Sequence, residues 1–158
     1  MGQGLLMARW TAAFQAHHLD AAQVLLTTDD VMRRDHYTNV RAALSRLLGL
    51  GVVPILNEND AVTTRELRFG DNDRLAALIA QMIKADALVL LTDVDGLYTA
   101  PPDHPGSQLI DRVAGADDLM SVLVTGAGSR VGTGGMATKV QAAMLATASG
   151  IGVQLASA

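Results

Sequence analysis

Two clusters of amide and carboxylate side chains are the first candidates for chemistry in this chain. The apolar run 52–56 ends in the cluster NEND at 57–60, and a second cluster, DND, occupies 71–73. The segment between them has the short β-prone pieces of a hairpin, which would bring both clusters to the end of one buried strand. Asn and Asp are ordinary turn formers, but three amides and four acids in these clusters exceed what a turn requires. The pattern favours a substrate site here.

A glycine-rich segment is the second candidate. Residues 126–135 hold five glycines and lead into a predicted helix that begins at Met136, runs to about Thr147 and carries Lys139 in its first turn. Glycine lets backbone amides approach a phosphate, and a helix N-terminus adds partial positive charge. The helix dipole disfavours a cation at Lys139, so a bound anion would account for its position. A flexible loop with a solvated lysine explains the same spacing equally well.

Other familiar patterns are weaker. The glycine-rich segment lacks the Gly-Lys-Ser/Thr of a Walker loop. Gly132, Gly134 and Ala137 fit the dinucleotide pattern G-x-G-x-x-A, but the sequence ends before a second strand could present the acidic ribose ligand expected about twenty residues on. Nicotinamide chemistry is therefore disfavoured. Asp93 and Asp95 could hold a metal, yet Asp-x-Asp-Gly is a common turn signal, and the turn is favoured. No spacing of histidines indicates a metal site or a nucleophile.

The order of predicted helices and strands that would position these residues indicates an α/β fold. Helices are expected at 3–17, 38–48 and 116–122, and a further strong helix is expected after a cap at Asp71 or Asn72. Strands are expected at 22–26, 52–56, 87–91 and near 151–155, and the apolar run 87–91 is typical of a strand buried on both faces. This alternation predicts βαβ units and a mainly parallel sheet with helices on both faces, in which ligands bind at the carboxyl ends of strands.

Composition limits the class of protein. A chain of 158 residues with 49% hydrophobic and 18% charged residues fits one domain with a packed core. The net charge of −4 gives no basic surface for nucleic acid, and the lack of cysteine is compatible with a reducing compartment. Neither a signal peptide nor a membrane-spanning run is recognisable in the sequence. We therefore expect a cytoplasmic protein without nucleic-acid or membrane partners.

Taken together, the motifs resemble one family. The segments VVPILNENDAV (52–62), FGDND (69–73), LVLLTDVDGLYT (88–99) and GTGGMATK (132–139) occur in the order and spacing of the glutamate 5-kinase branch of the amino acid kinase family. The segment TDVDGLYT is shared with aspartate kinases and is similar to uridylate kinases, whereas NENDAV, GDND and GTGGMATK are more specific. The resemblance implies an incomplete amino acid kinase domain over 1–158, a three-layer αβα sandwich with the hairpin over its active site.

The resemblance also implies an activity and a set of site residues. The activity is transfer of a phosphoryl group from ATP, with Mg²⁺, to the side-chain carboxylate of L-glutamate in proline biosynthesis, by an enzyme that is a homo-oligomer when intact. Asp60 and Asn72 match the residues that hold glutamate, and Asp73 matches the aspartate that organises the catalytic lysines, of which Lys139 matches one. The implied nucleotide-binding positions are Thr92, Asp93, Thr133, Gly134, Gly135, Met136, Ala137, Thr138 and Lys139.

The chain also departs from the family pattern. The strand and loop with a first catalytic lysine, a Ser- and Gly-containing loop, and the appended PUA domain of many members have no counterpart in the sequence. We therefore expect little or no kinase activity from this chain by itself. Two alternatives stay open at this point: a non-catalytic segment that binds nucleotide or glutamate, and another kinase of the family, such as an aspartate or uridylate kinase.

Overall fold

The computed structural model describes residues 2–59, 72–100, 103–115 and 135–158. The helices in these ranges are α1 (Gly2–Gln15), α2 (Thr28–Met32), α3 (Arg34–Gly49), α4 (Asn72–Ile83) and α5 (Met136–Thr147). The strands are β1 (Asp20–Leu26), β2 (Val52–Glu58), β3 (Ala87–Thr92), β4 (Leu97–Tyr98), β5 (Leu109–Ile110) and β6 (Gly152–Ser157). The chain divides into two compact units, residues 1–72 and 73–158, and each is described by itself.

The first unit is built around the parallel strands β1 and β2. Their register runs from the pair Asp20 and Val52 to the pair Leu26 and Glu58. A capping box begins α2 between these strands, because Thr27 donates from its hydroxyl and its backbone amide to the carboxylate of Asp30, at 2.6 and 2.7 Å. The next helix, α3, begins at Arg34, earlier than the predicted residue 38.

The second unit is built around the parallel strands β3 and β6, paired from Ala87 with Gly152 to Thr92 with Ser157. Each strand follows a helix after a short connection, α4 before β3 and α5 before β6. The two helices and two strands share one core cluster of buried side chains. Its buried members are Ala77, Ala80, Leu88, Leu90, Ala142, Ala146 and Ile151. The α/β class with parallel strand pairing is therefore confirmed, and each parallel pair lies within one unit.

One expectation about this second unit is wrong in detail, and one strand pair was not foreseen. Strand β3 was predicted to be buried on both faces, but its side chains alternate: Leu88 and Leu90 are buried, whereas Val89 and Leu91 are 52% and 58% exposed. The described helices α4 and α5 pack against the face that carries Leu88 and Leu90, which explains the alternation. The pairing of β5 with β4 in antiparallel register was not predicted.

The predicted hairpin between the two polar clusters and the predicted short helix 116–122 lie outside the described residues. No helix in the described ranges is both long and apolar enough to cross a membrane. The remaining predicted helices and strands are found; α5 has the predicted bounds, whereas others have shifted ends, as at α1, which begins at Gly2 and ends at Gln15.

Candidate functional site

The centre of the candidate site is an ion pair between the first turns of α4 and α5. The Nζ atom of Lys139 donates to both carboxylate oxygens of Asp73, at 3.0 Å to Oδ1 and 3.1 Å to Oδ2. Both side chains are largely buried, each with 15% of its surface exposed. A charge-assisted contact of this kind is stronger than a neutral hydrogen bond, and its two hydrogen bonds fix both the orientation and the separation of the charged groups. The carboxylate of Asp73 on α4 therefore fixes the position of the Lys139 ammonium, which belongs to α5.

Thr138 adds a third group to this pair. Its hydroxyl lies 3.1 Å from Oδ2 of Asp73 and 2.8 Å from the carbonyl oxygen of Gly135. A hydroxyl has one hydrogen to donate, so the two acceptors compete for it. The carboxylate of Asp73 is thus contacted by two consecutive residues of α5, Thr138 and Lys139. The sequence resemblance had assigned Thr138 only to a loop over the phosphates.

The helix dipoles make the two halves of the ion pair unequal. A carboxylate in the first turn of α4 is favoured by the positive end of that helix, whereas an ammonium in the first turn of α5 is disfavoured by the positive end of its own. Asp73 offsets this second effect, because its negative charge lies about 3 Å from the Lys139 ammonium. Lys139 therefore keeps its place at the start of α5 through a partner on a different helix.

Among the described residues, no side chain caps the N-terminus of α5. Its N-cap is Gly135, with φ 116° and ψ −167°, a backbone conformation that strains any residue with a side chain. Gly135 supplies no capping side chain, so the amides of Met136, Ala137 and Thr138 point out of the first turn without an acceptor from the helix itself. Uncapped amides beside a lysine are suited to phosphate oxygens.

The topology brings these groups to one edge of the β3 and β6 pair. Residues 84–86 join the end of α4 to the start of β3, and residues 148–151 join α5 to β6, so each helix runs antiparallel to its strand. A helix of 12 residues is about 18 Å long. A strand of 6 residues is about 20 Å long. Because these lengths nearly match, the first turns of α4 and α5 reach the carboxyl edge, where β3 ends at Thr92.

Thr92 and Asp93 occupy that edge. Thr92 is buried, with 7% of its surface exposed, and its hydroxyl donates to Oδ1 of Asp93 at 3.1 Å. The backbone carbonyl of Thr92 accepts a hydrogen bond from the amide of Ala158 at 2.9 Å. The Asp93 side chain is exposed at the start of the turn that leads to β4. These contacts hold the turn at the end of β3 next to the last residues of β6.

Asp95 closes the same turn. Its Oδ1 accepts a hydrogen bond of 2.7 Å from the Tyr98 hydroxyl, and this hydrogen bond, helped by desolvation and by the charge of Asp95, raises the pKa of the Tyr98 phenol above its usual value. Both aspartates thus contact neighbouring side chains of the turn. No group of three or more acidic, histidine or cysteine side chains in the described ranges is arranged to hold a metal ion. These contacts agree with the turn interpretation of the Asp93 and Asp95 pair.

The remaining candidate residues divide between described and undescribed parts of the chain. Asn72 is exposed and is the first residue of α4, next to Asp73, so it begins the helix instead of capping it. Gly135, Met136 and Ala137 form the start of α5, as predicted. Asp60, Thr133 and Gly134 lie outside the described residues. The structure therefore brings together Asp73, Thr138 and Lys139, and leaves the rest of the assigned set as predictions.

Gln81 was missed by sequence reasoning. It lies near the end of α4, and its Nε2 donates to the carbonyl oxygen of Leu145 at 2.6 Å and to the hydroxyl of Ser149 at 2.9 Å. A glutamine in an amphipathic helix is typical of an exposed position, so its sequence context gave no sign of a contact with α5. Only the placement of the two helices reveals it.

Comparison with known proteins gives the family. Residues 1–157 match the sequence profile of the Amino acid kinase family. The protein named glutamate 5-kinase in Thermobifida fusca (strain YX) is 58% identical over 159 residues, which cover 100% of this chain and 41% of that protein. The glutamate 5-kinases of Salinispora arenicola (strain CNS-205) and Bifidobacterium longum (strain DJO10A) are 58% and 55% identical, over 100% and 96% of this chain.

The alignments cover nearly all of this chain but less than half of each relative. The aligned segment makes up 43% of the Salinispora protein and 40% of the Bifidobacterium protein, so this chain spans about two fifths of the length of these relatives. The family assignment, however, extends over nearly every residue of the chain, including both described helices that carry the ion pair. The chain therefore belongs to the amino acid kinase family.

Proposed function

We propose that this chain supplies part of the active site of a glutamate 5-kinase, which transfers the γ-phosphoryl group of ATP to the side-chain carboxylate of L-glutamate. The observation that carries the proposal is the Lys139 ammonium, held by Asp73 at 3.0 and 3.1 Å beside the uncapped start of α5. The similarity to proteins named glutamate 5-kinase supports the choice of glutamate as acceptor.

The proposed reaction needs charge neutralisation more than proton transfer. A glutamate side chain has a pKa of about 4.3, so it is already an ionised nucleophile at neutral pH and needs no general base. One carboxylate oxygen forms a bond to the γ-phosphorus, the bond from that phosphorus to the β,γ-bridging oxygen breaks, and ADP leaves with the electron pair. Two anions must be aligned and the charge on the transferring group offset, which is positioning and electrostatics.

Several residues fit the phosphate side of this reaction. Lys139 offers a compact positive charge, and the amides of Met136 and Ala137 offer donors at the positive end of α5. In this proposal Asp73 holds the lysine and does not touch the substrate proton, while Thr92 and Asp93 contribute to the nucleotide site at the end of β3. Mg²⁺, when bound with ATP, would supply further positive charge to the phosphates.

The acceptor side rests on the family resemblance. Asp60 and Asn72 would hold glutamate, with the carboxylate of Asp60 suited to its ammonium group, and Thr133 and Gly134 would complete the loop over the phosphates. A glutamate kinase of this kind would act in proline biosynthesis, in the cytoplasm, as a homo-oligomer. Each of these finer assignments is part of the proposal.

A chimaeric kinase tests the proposal within a complete enzyme. The segment of the Thermobifida fusca protein that aligns with this chain is replaced by this chain, and glutamyl phosphate is trapped with hydroxylamine. We expect the chimaera to form glutamyl hydroxamate from glutamate and ATP. Replacing Lys139 by Met should lower kcat by about 10²–10³-fold, the usual effect of removing one donor to transition-state charge. Replacing the exposed Lys84, the other lysine of the chain, by Met is the matched control and should leave kcat unchanged.

The outcomes distinguish the candidate functions. A folded chimaera that binds ATP but forms no hydroxamate would overturn the proposal and favour the non-catalytic, nucleotide-binding segment. Hydroxamate formation that is insensitive to Lys139→Met would refute the part assigned to the ion pair. A chimaera that prefers aspartate over glutamate as acceptor would assign the chain to a different kinase of the family.

A further inference from the structure

The facing sides of α4 and α5 carry polar contacts at both ends and alanines between them. At the N-terminal end Asp73 contacts Thr138 and Lys139, and at the C-terminal end Gln81 contacts Leu145 and Ser149. The contacts at matching ends show that the two helices run parallel. The contacting positions are Asp73, Ala77, Ala80 and Gln81 on α4, and Thr138, Lys139, Ala142, Leu145, Ala146 and Ser149 on α5 or just after it.

The contact at the C-terminal end is a cap. The last four carbonyl groups of a helix have no partner within that helix, and Leu145 lies in this group because α5 ends at Thr147. The side-chain amide of Gln81 donates to the Leu145 carbonyl at 2.6 Å and reaches the Ser149 hydroxyl at 2.9 Å. One side chain of α4 therefore satisfies the end of α5 and the turn that follows it.

The alanines between the two ends do little to fix the alignment of the helices. Ala77, Ala80, Ala142 and Ala146 are at most 5% exposed, so they are fully packed. Their single methyl groups present low ridges, whereas long side chains that interlock would resist sliding or rotation of one helix against the other. The directional contacts at the two ends therefore add to the alignment that the rest of the cluster, including Leu88, Leu90 and Leu145, provides.

We propose that Gln81 is a positioning residue for the Lys139 ammonium: by holding the C-terminal end of α5 to α4, it keeps Asp73 and Lys139 in register at the opposite end. Gln81 follows Asp73 by eight positions, about 12 Å along the helix axis. The contacts of Lys139 with Asp73 are 3.0 and 3.1 Å long, so a shift of about 1 Å between the helices breaks them as hydrogen bonds. The importance of this register for catalysis rests on the proposed function, but the coupling itself does not.

Because the chain has only two lysines, the effect of Gln81 on Lys139 can be measured without an assay of kinase activity. Lys84 and Lys139 are its only lysines, so a lysine-labelled sample gives two side-chain ammonium signals by nuclear magnetic resonance. Hydrogen exchange of the Lys139 ammonium reports how well its hydrogen bonds to Asp73 are held in the folded protein. Lys84 is exposed and serves as the internal reference.

Two substitutions at Gln81 separate alignment from general stability. Gln81→Met removes the amide donor and keeps length and helix propensity, whereas Gln81→Arg keeps donors that reach Leu145 and Ser149 without adding a lysine. We expect exchange at Lys139 to become about fivefold faster in Gln81→Met, the factor for losing one ordinary net hydrogen bond, and to be restored in Gln81→Arg. Gln154→Met, at an exposed position of β6, is the matched control and should leave the exchange rate unchanged.

The result decides the inference separately from the proposed function. If Gln81→Met lowers the unfolding temperature but leaves Lys139 exchange in the folded protein unchanged, Gln81 has a merely structural part and the inference is overturned. The same outcome follows if Gln154→Met accelerates exchange as much as Gln81→Met. A titration of the unsubstituted chain with Mg·ATP tests the proposed function by itself: a Lys139 signal that does not respond counts against phosphate binding, whatever the Gln81 variants show.

Discussion

Replacing Asp73 by Asn tests the ion pair most directly, because it removes one charge and keeps the shape of the side chain. At a separation of about 3 Å and an effective dielectric constant of about 20, the attraction between the two charges is about 5–6 kcal/mol before desolvation is subtracted. Both side chains are 85% buried, so Lys139 cannot regain full hydration when its partner becomes neutral. We expect the free energy of unfolding to fall by about 2–3 kcal/mol, near the range measured for hydrogen bonds to charged groups.

The measurement is urea unfolding at neutral pH, followed by circular dichroism. In a thermal scan a chain of this size should lose about 4–12 °C from its melting temperature for that free-energy change. Asp111→Asn is the matched control, because Asp111 is exposed in the loop after β5, and surface changes of this kind usually stay within about 0.5 kcal/mol. If Asp73→Asn is as mild as Asp111→Asn, the ion pair does not stabilise the fold and the reasoning is refuted.

A double-mutant cycle then measures the interaction energy between Asp73 and Lys139 separately from the contacts that each residue makes with its surroundings. Lys139→Met keeps the buried hydrocarbon stem and removes the ammonium, so the Asp73 carboxylate loses its ion pair with Lys139. The double variant contains neither charge, so its loss of stability should be smaller than the sum of the two single losses by about 1–3 kcal/mol. Additivity within about 0.5 kcal/mol would show that the two charges do not interact, in contradiction to the observed contact.

Two further predictions concern pH. Partial burial raises the pKa of Asp30, but the hydrogen bonds from Thr27 prevail and lower it below 3.8, so the capping box should stabilise the protein above that pH and lose its contribution as pH falls. Asp30→Ala should cost about 1 kcal/mol at pH 6 and progressively less as the pH is lowered below 3.8, measured by urea unfolding. The contact with Asp95 raises the pKa of Tyr98 above 10.0, so it stabilises the protein below that pH and is lost above it; Asp95→Asn should lower the midpoint of phenolate absorbance.

The elements that position the ion pair could be predicted closely from the sequence. Helix α5 runs from Met136 to Thr147 as expected, and β3 extends the predicted strand by one residue, because apolar periodicity and glycine signals are local and strong there. The capping box at Thr27 also had a sequence signature, a threonine followed three positions later by an acid. Signals of this kind involve neighbouring residues, so they can be recognised from a single sequence.

Contacts between distant segments could not be predicted in the same way. The distances from Lys139 to Asp73 and from Gln81 to Leu145 depend on how two helices more than sixty positions apart pack together. The exposure of Val89 and Leu91 has a similar origin, since an apolar strand does not specify which of its faces a helix will cover. The two-residue strand β5 is too short to show any period. Family resemblance linked Asp73 with a lysine, but only the structure showed the contact.

If the proposed function holds, the charges at the start of α5 explain why a lysine that faces phosphate is paired with an aspartate. Asp73 repels a phosphate, so as a source of binding strength it is unfavourable, and the uncapped amides after Gly135 would attract the anion better without it. The benefit of Asp73 is that it fixes the position of the ammonium: Lys139 has four rotatable side-chain bonds, and the two hydrogen bonds that it donates to one carboxylate hold its ammonium in a single place. A kinase gains rate from a charge that is fixed where the phosphoryl group passes, because such a charge needs no reorganisation during the reaction. The Asp73–Lys139 pair is therefore better suited to aligning a phosphoryl group in the transition state than to tight binding of ATP.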